Sequence, residues 1–162
     1  MADINIDNFY RHIAKILSIL YAAFPTRSPV YVDDVAGIDD PDEYGLHSPH
    51  YTAGFFALIW LADEGFLRYS DTIRQDGVDQ AALTNKAFMR LTQPVERIYV
   101  EPVFLPDESL DESNVVNIAP VEKLSPSIIE DQKLVINQLR FAMKSEDSIA
   151  IAKVVQHILQ PN

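Results

Sequence analysis

The sequence predicts a mainly α-helical chain with a small two-stranded hairpin and a C-terminal helical extension, on three observations. Apolar residues recur at helical spacing in several stretches. The period changes to that of extended chain after Gly65. Two further amphipathic stretches lie beyond an interval rich in proline and acids. The expected organisation is a first domain at residues 1–100, an acidic proline-containing linker at 101–126 and the helical extension at 127–162.

Phe9, Ile13, Ile16, Leu17, Leu20 and Phe24 share one face of the first helix, with Arg11, Lys15 and Ser18 on the other. Asp7 or Asn8 is placed to cap its start, and Pro25 with Ser28-Pro29 stops it. Val30-Tyr31-Val32 favours a short extended piece, and Asp33 then opens a short second helix through Val35 and Ala36 that ends at Gly37. The segment from Ile38 to Leu46 is acidic and turn-rich. Ser48-Pro49 is a helix restart, with Ser48 as N-cap and Pro49 at the first helical position. That third helix runs through Trp60 to about Glu64, where Gly65 supplies the left-handed closing residue.

Phe66-Leu67-Arg68-Tyr69 and the residues around Ile73 predict a strand, Asp76-Gly77 a tight turn, and Val78 to Leu83 the returning strand. Thr84 caps a fourth helix carrying Ala87, Phe88 and Leu91, with Pro94 beyond its end. Leu17, Leu20, Leu58, Leu61, Leu67 and Phe88 are the expected core. Helical order resumes at Ser127, which forms a capping box with Glu130, and Ile128, Leu134, Val135, Leu139 and Ala142 give one stripe. After a break at Ser145–Ser148, a last helix aligns Ile151, Val154, Val155, Ile158 and Leu159.

Charge restricts the partners. Thirteen Lys and Arg face 24 Asp and Glu, a net charge of −11, and both halves of the chain are acidic. Non-specific attraction to nucleic acid or an anionic membrane is disfavoured. With no cysteine there are no disulfides or thiolate metal sites. The start, Met1-Ala-Asp-Ile-Asn, lacks the basic-then-apolar pattern of a signal peptide, and Gly54 to Ala62, the longest apolar run, is well short of a membrane span. A cytoplasmic protein without a membrane partner is the expectation.

Catalytic chemistry has no foothold in the motifs. A glycine-rich phosphate loop, a nucleophile elbow, a cysteine nucleophile and paired histidines on a helix are all absent from the sequence. His47 and His50 near Glu43 lack the further ligands of a tetrahedral site. Asp39-Asp40-Pro-Asp42-Glu43 lacks the alternating ligands and central glycine of a calcium loop. No metal and no cofactor is expected, and His12 and His157 read as surface or boundary residues.

Leu61-Ala-Asp-Glu-Gly65-Phe-Leu67, then a hairpin, then Leu83-Thr84-Asn-Lys-Ala-Phe88-Met-Arg-Leu91, resembles the end of the recognition helix, the wing and the next helix of bacterial winged helix-turn-helix regulators. The resemblance covers roughly residues 8 to 92. Ala87 stands where glycine is usual, and the acidic insertion at 38–47 lengthens the turn before the third helix. The resemblance implies a winged helix-turn-helix domain and, in most such proteins, transcription regulation through DNA.

The residues at the site disagree with that last implication. Between Arg27 and Arg68 there is no Lys or Arg, whereas Asp33, Asp34, Asp39, Asp40, Asp42, Glu43, Asp63 and Glu64 all fall there. Phosphate contact needs cations, and base readout needs Arg, Lys, Asn or Gln, none of which occurs from Ser48 to Ala62. The preferred expectation is a non-enzymatic module for protein–protein association in a bacterial cytosolic system. Its interface would use Phe56, Ile59 and Trp60 on the third helix and Ile151, Val155 and Ile158 on the last, the latter exchanged between the subunits of a homodimer. The alternative is DNA binding through Ser48, His50, Tyr51 and Thr52 at the start of the third helix with Arg68 and Arg74 on the wing. A second alternative is an acidic DNA mimic that occupies the basic groove of another protein.

Overall fold

The structure, a computed structural model, describes residues 3–100 and 126–161. Of the expected linker at 101–126, residues 101–125 lie outside the described residues and Pro126 opens a helix. In chain order the elements are α1 (Ile4–Ala23), β1 (Ser28–Tyr31), α2 (Val32–Ala36), α3 (Pro49–Asp63), β2 (Leu67–Arg68), β3 (Asp71–Ile73), β4 (Gly77–Leu83), α4 (Asn85–Thr92), α5 (Pro126–Lys133), α6 (Val135–Ser145) and α7 (Ser148–Leu159). The described residues are mainly helical with a small antiparallel sheet.

Helix α1 begins one turn before its expected cap. Asp3 is the N-cap residue, although its side chain makes no capping bond. Asp7 lies inside the first turn and takes an ion pair from Arg11 at 3.2 Å, one turn on. Ser48 and Thr84 cap α3 and α4 as their types dictate, their hydroxyls accepting from the N–H groups of Tyr51 and Ala87. Gly65 has φ +77 at the close of α3.

The sheet has four strands where a two-stranded hairpin was expected. Leu67 pairs with Leu83 and Ile73 with Gly77 in one register, so β2 and β3 are a single hairpin arm interrupted at Tyr69-Ser70. The additional partner is β1, which pairs antiparallel with β4 through Val30 and Val78. The hairpin loop is Arg74-Gln75-Asp76, with Arg74 at φ +51, and Gly77 belongs to the strand. Glycine is required there by the approach of β1: a Cβ on Gly77 would lie 2.4 Å from the Val30 carbonyl oxygen.

The expected core residues Leu17, Leu20, Leu58, Leu61 and Leu67 are buried. Phe88 is half-buried instead, stacked on Phe24 at 4.5 Å between ring centroids. The C-terminal helices belong to the same core. Leu139 on α6 and Val154, Val155 and Ile158 on α7 are fully buried in one hydrophobic cluster with Ile13, Ile16 and Leu17 of α1 and Leu91 of α4.

The stripe read as one helix from Ser127 to Ala142 is two. Leu134 is extended and forms an isolated antiparallel bridge with Pro94, the Val95 N–H donating to the Lys133 carbonyl and the Val135 N–H to that of Gln93. Ser127 lies inside α5, which starts at Pro126, so it is not that helix's N-cap. Gln138, fully buried on α6, completes the tie. Its carbonyl oxygen accepts from the N–H groups of Tyr99 and Val100, and its amide donates to the carbonyls of Val100 and Gln132.

Candidate functional site

Helix α3 is apolar on every side in sequence, and the structure sorts those sides. Tyr51, Gly54, Phe55, Ala57, Leu58 and Leu61 are buried. Gly54 lets α2 approach: a Cβ there would stand 3.0 Å from that of Ala36. The outer edge carries Ala53, Phe56 and Trp60, with Phe56 56 % and Trp60 36 % exposed, and Ile59 half-buried beside them. Phe9 of α1 meets Trp60 edge-on, 5.1 Å between centroids.

Next to Trp60 a groove of about 590 Å³ runs between α1, α4 and the end of α7, lined by Phe9, Tyr10, Phe66, Lys86 and Arg90 among others. Its cations are already engaged. Lys86 sits 4.4 Å from the Phe66 ring centre and donates to the Glu64 carbonyl at the end of α3. Arg90 donates to the Ile158 carbonyl near the end of α7 at 2.6 Å. Both positions put positive charge at a helix C-terminus, where the macrodipole favours it.

At the other end of α3 the acidic insertion is folded. One oxygen of Asp42 accepts from the N–H groups of Tyr44 and Leu46, and one oxygen of Asp39 accepts from the Ser48 N–H and contacts His47. Hydrogen bonding to Ser48, aided by His47, holds the Asp39 carboxyl below its usual range. His47 also reaches Asp76 of the hairpin loop at 3.2 Å and stacks on Tyr51 at 4.1 Å. Exposed on this loop are Ile38, Tyr44 and Leu46 among its acids.

The expected interface residues therefore separate. Phe56 and Trp60 are at the surface with Ile59 at its margin, whereas Ile151, Val155 and Ile158 are 3 %, 0 % and 0 % exposed. That second set is corrected: α1 and α6 of the same chain cover α7, so the stripe offers no free face for exchange between subunits.

The DNA set also divides. Tyr51 is corrected, since it is buried, and burial together with Asp33 pushes its hydroxyl up to about 12. Ser48 spends its hydroxyl on the cap, His50 Nε2 lies 3.2 Å from the Ala36 carbonyl oxygen, and Thr52 is half-buried. Arg68 and Arg74 are exposed on the hairpin, in the company of Asp71, Asp76 and Asp79.

Two residues passed over in sequence stand out. Gln138 gave no periodic signal, being one polar residue on an otherwise apolar face. His12, read as a surface or boundary residue, is corrected to core: it is 2 % exposed, lies 4.8 Å from the His50 ring, and neither ring nitrogen has a hydrogen-bond partner among the described residues. Burial, then the neighbouring His50 and Lys15, lowers its pKa from 6.5 to about 4. Its spacing from Phe9, Ile13 and Ile16 placed it on the buried side of α1.

Among the described residues, no group of three or more His, Asp or Glu side chains is arranged to hold a metal ion, and no helix is long and apolar enough to cross a membrane. Comparison of the chain with protein-family models, with curated proteins and with solved structures finds no match.

Proposed function

We propose that this chain is a non-enzymatic winged-helix module for protein association in the bacterial cytosol, with the outer edge of α3 as its contact face. The element order from α1 to α4, with a hairpin behind the third helix, supports the winged-helix reading. The observation that carries the functional reading is the character of α3 itself: Phe56 and Trp60 are exposed on a helix without a single Lys or Arg. Exposed aromatics with few charges suit an interface core. Acids lie at the two ends of α3, in the 38–46 loop and at Asp63 and Glu64, while Lys86 and Arg90 border Trp60, so the patch suits a partner with an apolar centre and a rim of mixed charge. A second copy of this chain, net charge −11, would meet it with like charge.

DNA binding through Arg68 and Arg74 is the second reading, supported by their exposure on the hairpin. A photoreactive residue at position 56, introduced in the native host, separates the two. A protein crosslink that Trp60→Ala abolishes is the expected outcome. Crosslinked DNA, together with nanomolar duplex binding and a steep salt slope in anisotropy titrations, would replace the association reading with the DNA reading.

A further inference from the structure

The loop that leads into α3 turns its large apolar side chains outward. Ile38, Tyr44 and Leu46 are all exposed, Ile38 at 91 %. The Tyr44 ring makes no aromatic or cation contact, and its hydroxyl no hydrogen bond, among the described residues. Single apolar residues are common on protein surfaces, but these fall together in one short loop and add nothing to the core.

The loop is also held in shape. One carboxylate oxygen of Asp42 accepts from the Tyr44 and Leu46 N–H groups, its own N–H donates to the Leu46 carbonyl, and its carbonyl accepts from the Gly45 N–H. Gly45 supplies the turn with φ +77. Asp39 fastens the base to Ser48 and His47, and His47 reaches Asp76 of the hairpin loop. The backbone polar groups are satisfied within the loop, so covering its tip costs little further ordering.

The surrounding charge selects what can cover it. Asp40 and Glu43 are exposed and make no hydrogen bond or ion pair among the described residues. His47, His50 and Arg74 are the basic side chains on the loop and on the elements that meet it. Even with all three charged, the four acids of the loop together with Asp33, Asp34 and Asp76 outnumber them.

We propose that the 38–46 loop is a second contact face, covered by a basic apolar segment of a partner protein. Leucine or aromatic side chains of that segment pack on Ile38, Tyr44 and Leu46, and the Lys or Arg beside them meet Asp40 and Glu43. Apolar contact supplies the affinity, and opposite charge aligns the segment. This face does not depend on the outer edge of α3, because Ser48 and Trp60 are about 18 Å apart along the helix.

Three peptides of one length test it on the full-length ¹⁵N-labelled protein at neutral pH. One is built of lysine and leucine, one of lysine and serine with the same charge, and one of glutamate and leucine with the same apolar residues. The Lys/Leu peptide is expected to give saturable shifts at the Ile38, Tyr44 and Leu46 amides while the Trp60 indole stays in place. The Lys/Ser peptide binds about tenfold more weakly, and the Glu/Leu peptide gives no saturable shift at the loop. Tyr44→Ser with Leu46→Ser, both at exposed positions, leaves the other amide signals in place and weakens Lys/Leu binding about tenfold. Asp40→Asn with Glu43→Gln weakens it severalfold and flattens its salt dependence. Shifts centred on Trp60 or elsewhere away from the loop, equal affinity for either control peptide, or undiminished binding by either double variant would each overturn the proposal.

Discussion

The outer edge of α3 and the inner face of α7 are alike in sequence, both apolar at helical spacing, and they meet opposite fates. On α7, Val154, Val155 and Ile158 are sealed against α1 and α6. On α3, burial of Leu58 and Leu61 already saturates the core side, and Phe56 and Trp60 are left over. An apolar stripe by itself signals burial. The apolar surplus on a helix whose core side is already filled is what marks a contact face.

The sharpest way to break this contrast is truncation on each side of it. Leu139→Ala or Ile158→Ala should cost about 2–5 kcal/mol in urea denaturation, and Phe56→Ala no more than about 0.5 kcal/mol. Equal costs would mean that α3 is as deeply packed as α7. Gly77→Ala tests whether the sheet under α3 is as tightly set as its geometry requires. With the Val30 carbonyl in the path of the new methyl, a loss of roughly 1–3 kcal/mol is expected.

Gln138→Leu keeps the volume on α6 but strands the Tyr99 and Val100 N–H groups, a loss of about 1–3 kcal/mol. Hydrogen exchange should speed up at those two amides before it does in α3. At neutral pH the smallest effect is expected from His12, between the two regions, and it grows only on acidification. Its pKa is about 4 folded and 6.5 as the ordinary value, so the unfolded chain takes the proton first as pH falls. Stability from this group is intact above 6.5, declines through that window and is fully lost below about 4. His12→Phe should flatten that part of the stability–pH curve relative to the parent protein.

Features decided by a few adjacent residues were legible in the sequence. The Ser48-Pro49 start, the Thr84 cap and the Gly65 stop each depend on local backbone chemistry, and each is where its residues put it. What escaped was settled across distance. The pairing of β1 with β4 joins segments far apart in the chain, and Asp76-Gly77 suggested a turn where the operative constraint is the approach of Val30. The break at Leu134 has no proline or glycine to announce it, because its cause is the bridge to Pro94.

The candidate site followed the same division. Phe56 and Trp60 could be picked out because α3 has more apolar residues than one core side accepts. Tyr51 could not be removed from the DNA set in advance, since its burial depends on His47 and on the folding of the acidic loop over it. The fate of Ile151, Val155 and Ile158 turned on the position of α1, which no spacing within α7 encodes.

One consequence of the shared core concerns covalent continuity. Helices α6 and α7 are held to α1 and α4 by side-chain packing, by the Pro94–Leu134 bridge and by Gln138, all of which act across space. Supplied as two separate polypeptides, residues 1–100 and 126–162 would have the contacts needed to reconstitute the fold by complementation, much as split reporters do. Stability would then depend on the concentration of both pieces, because the connection supplies an effective local concentration and the core supplies the specificity.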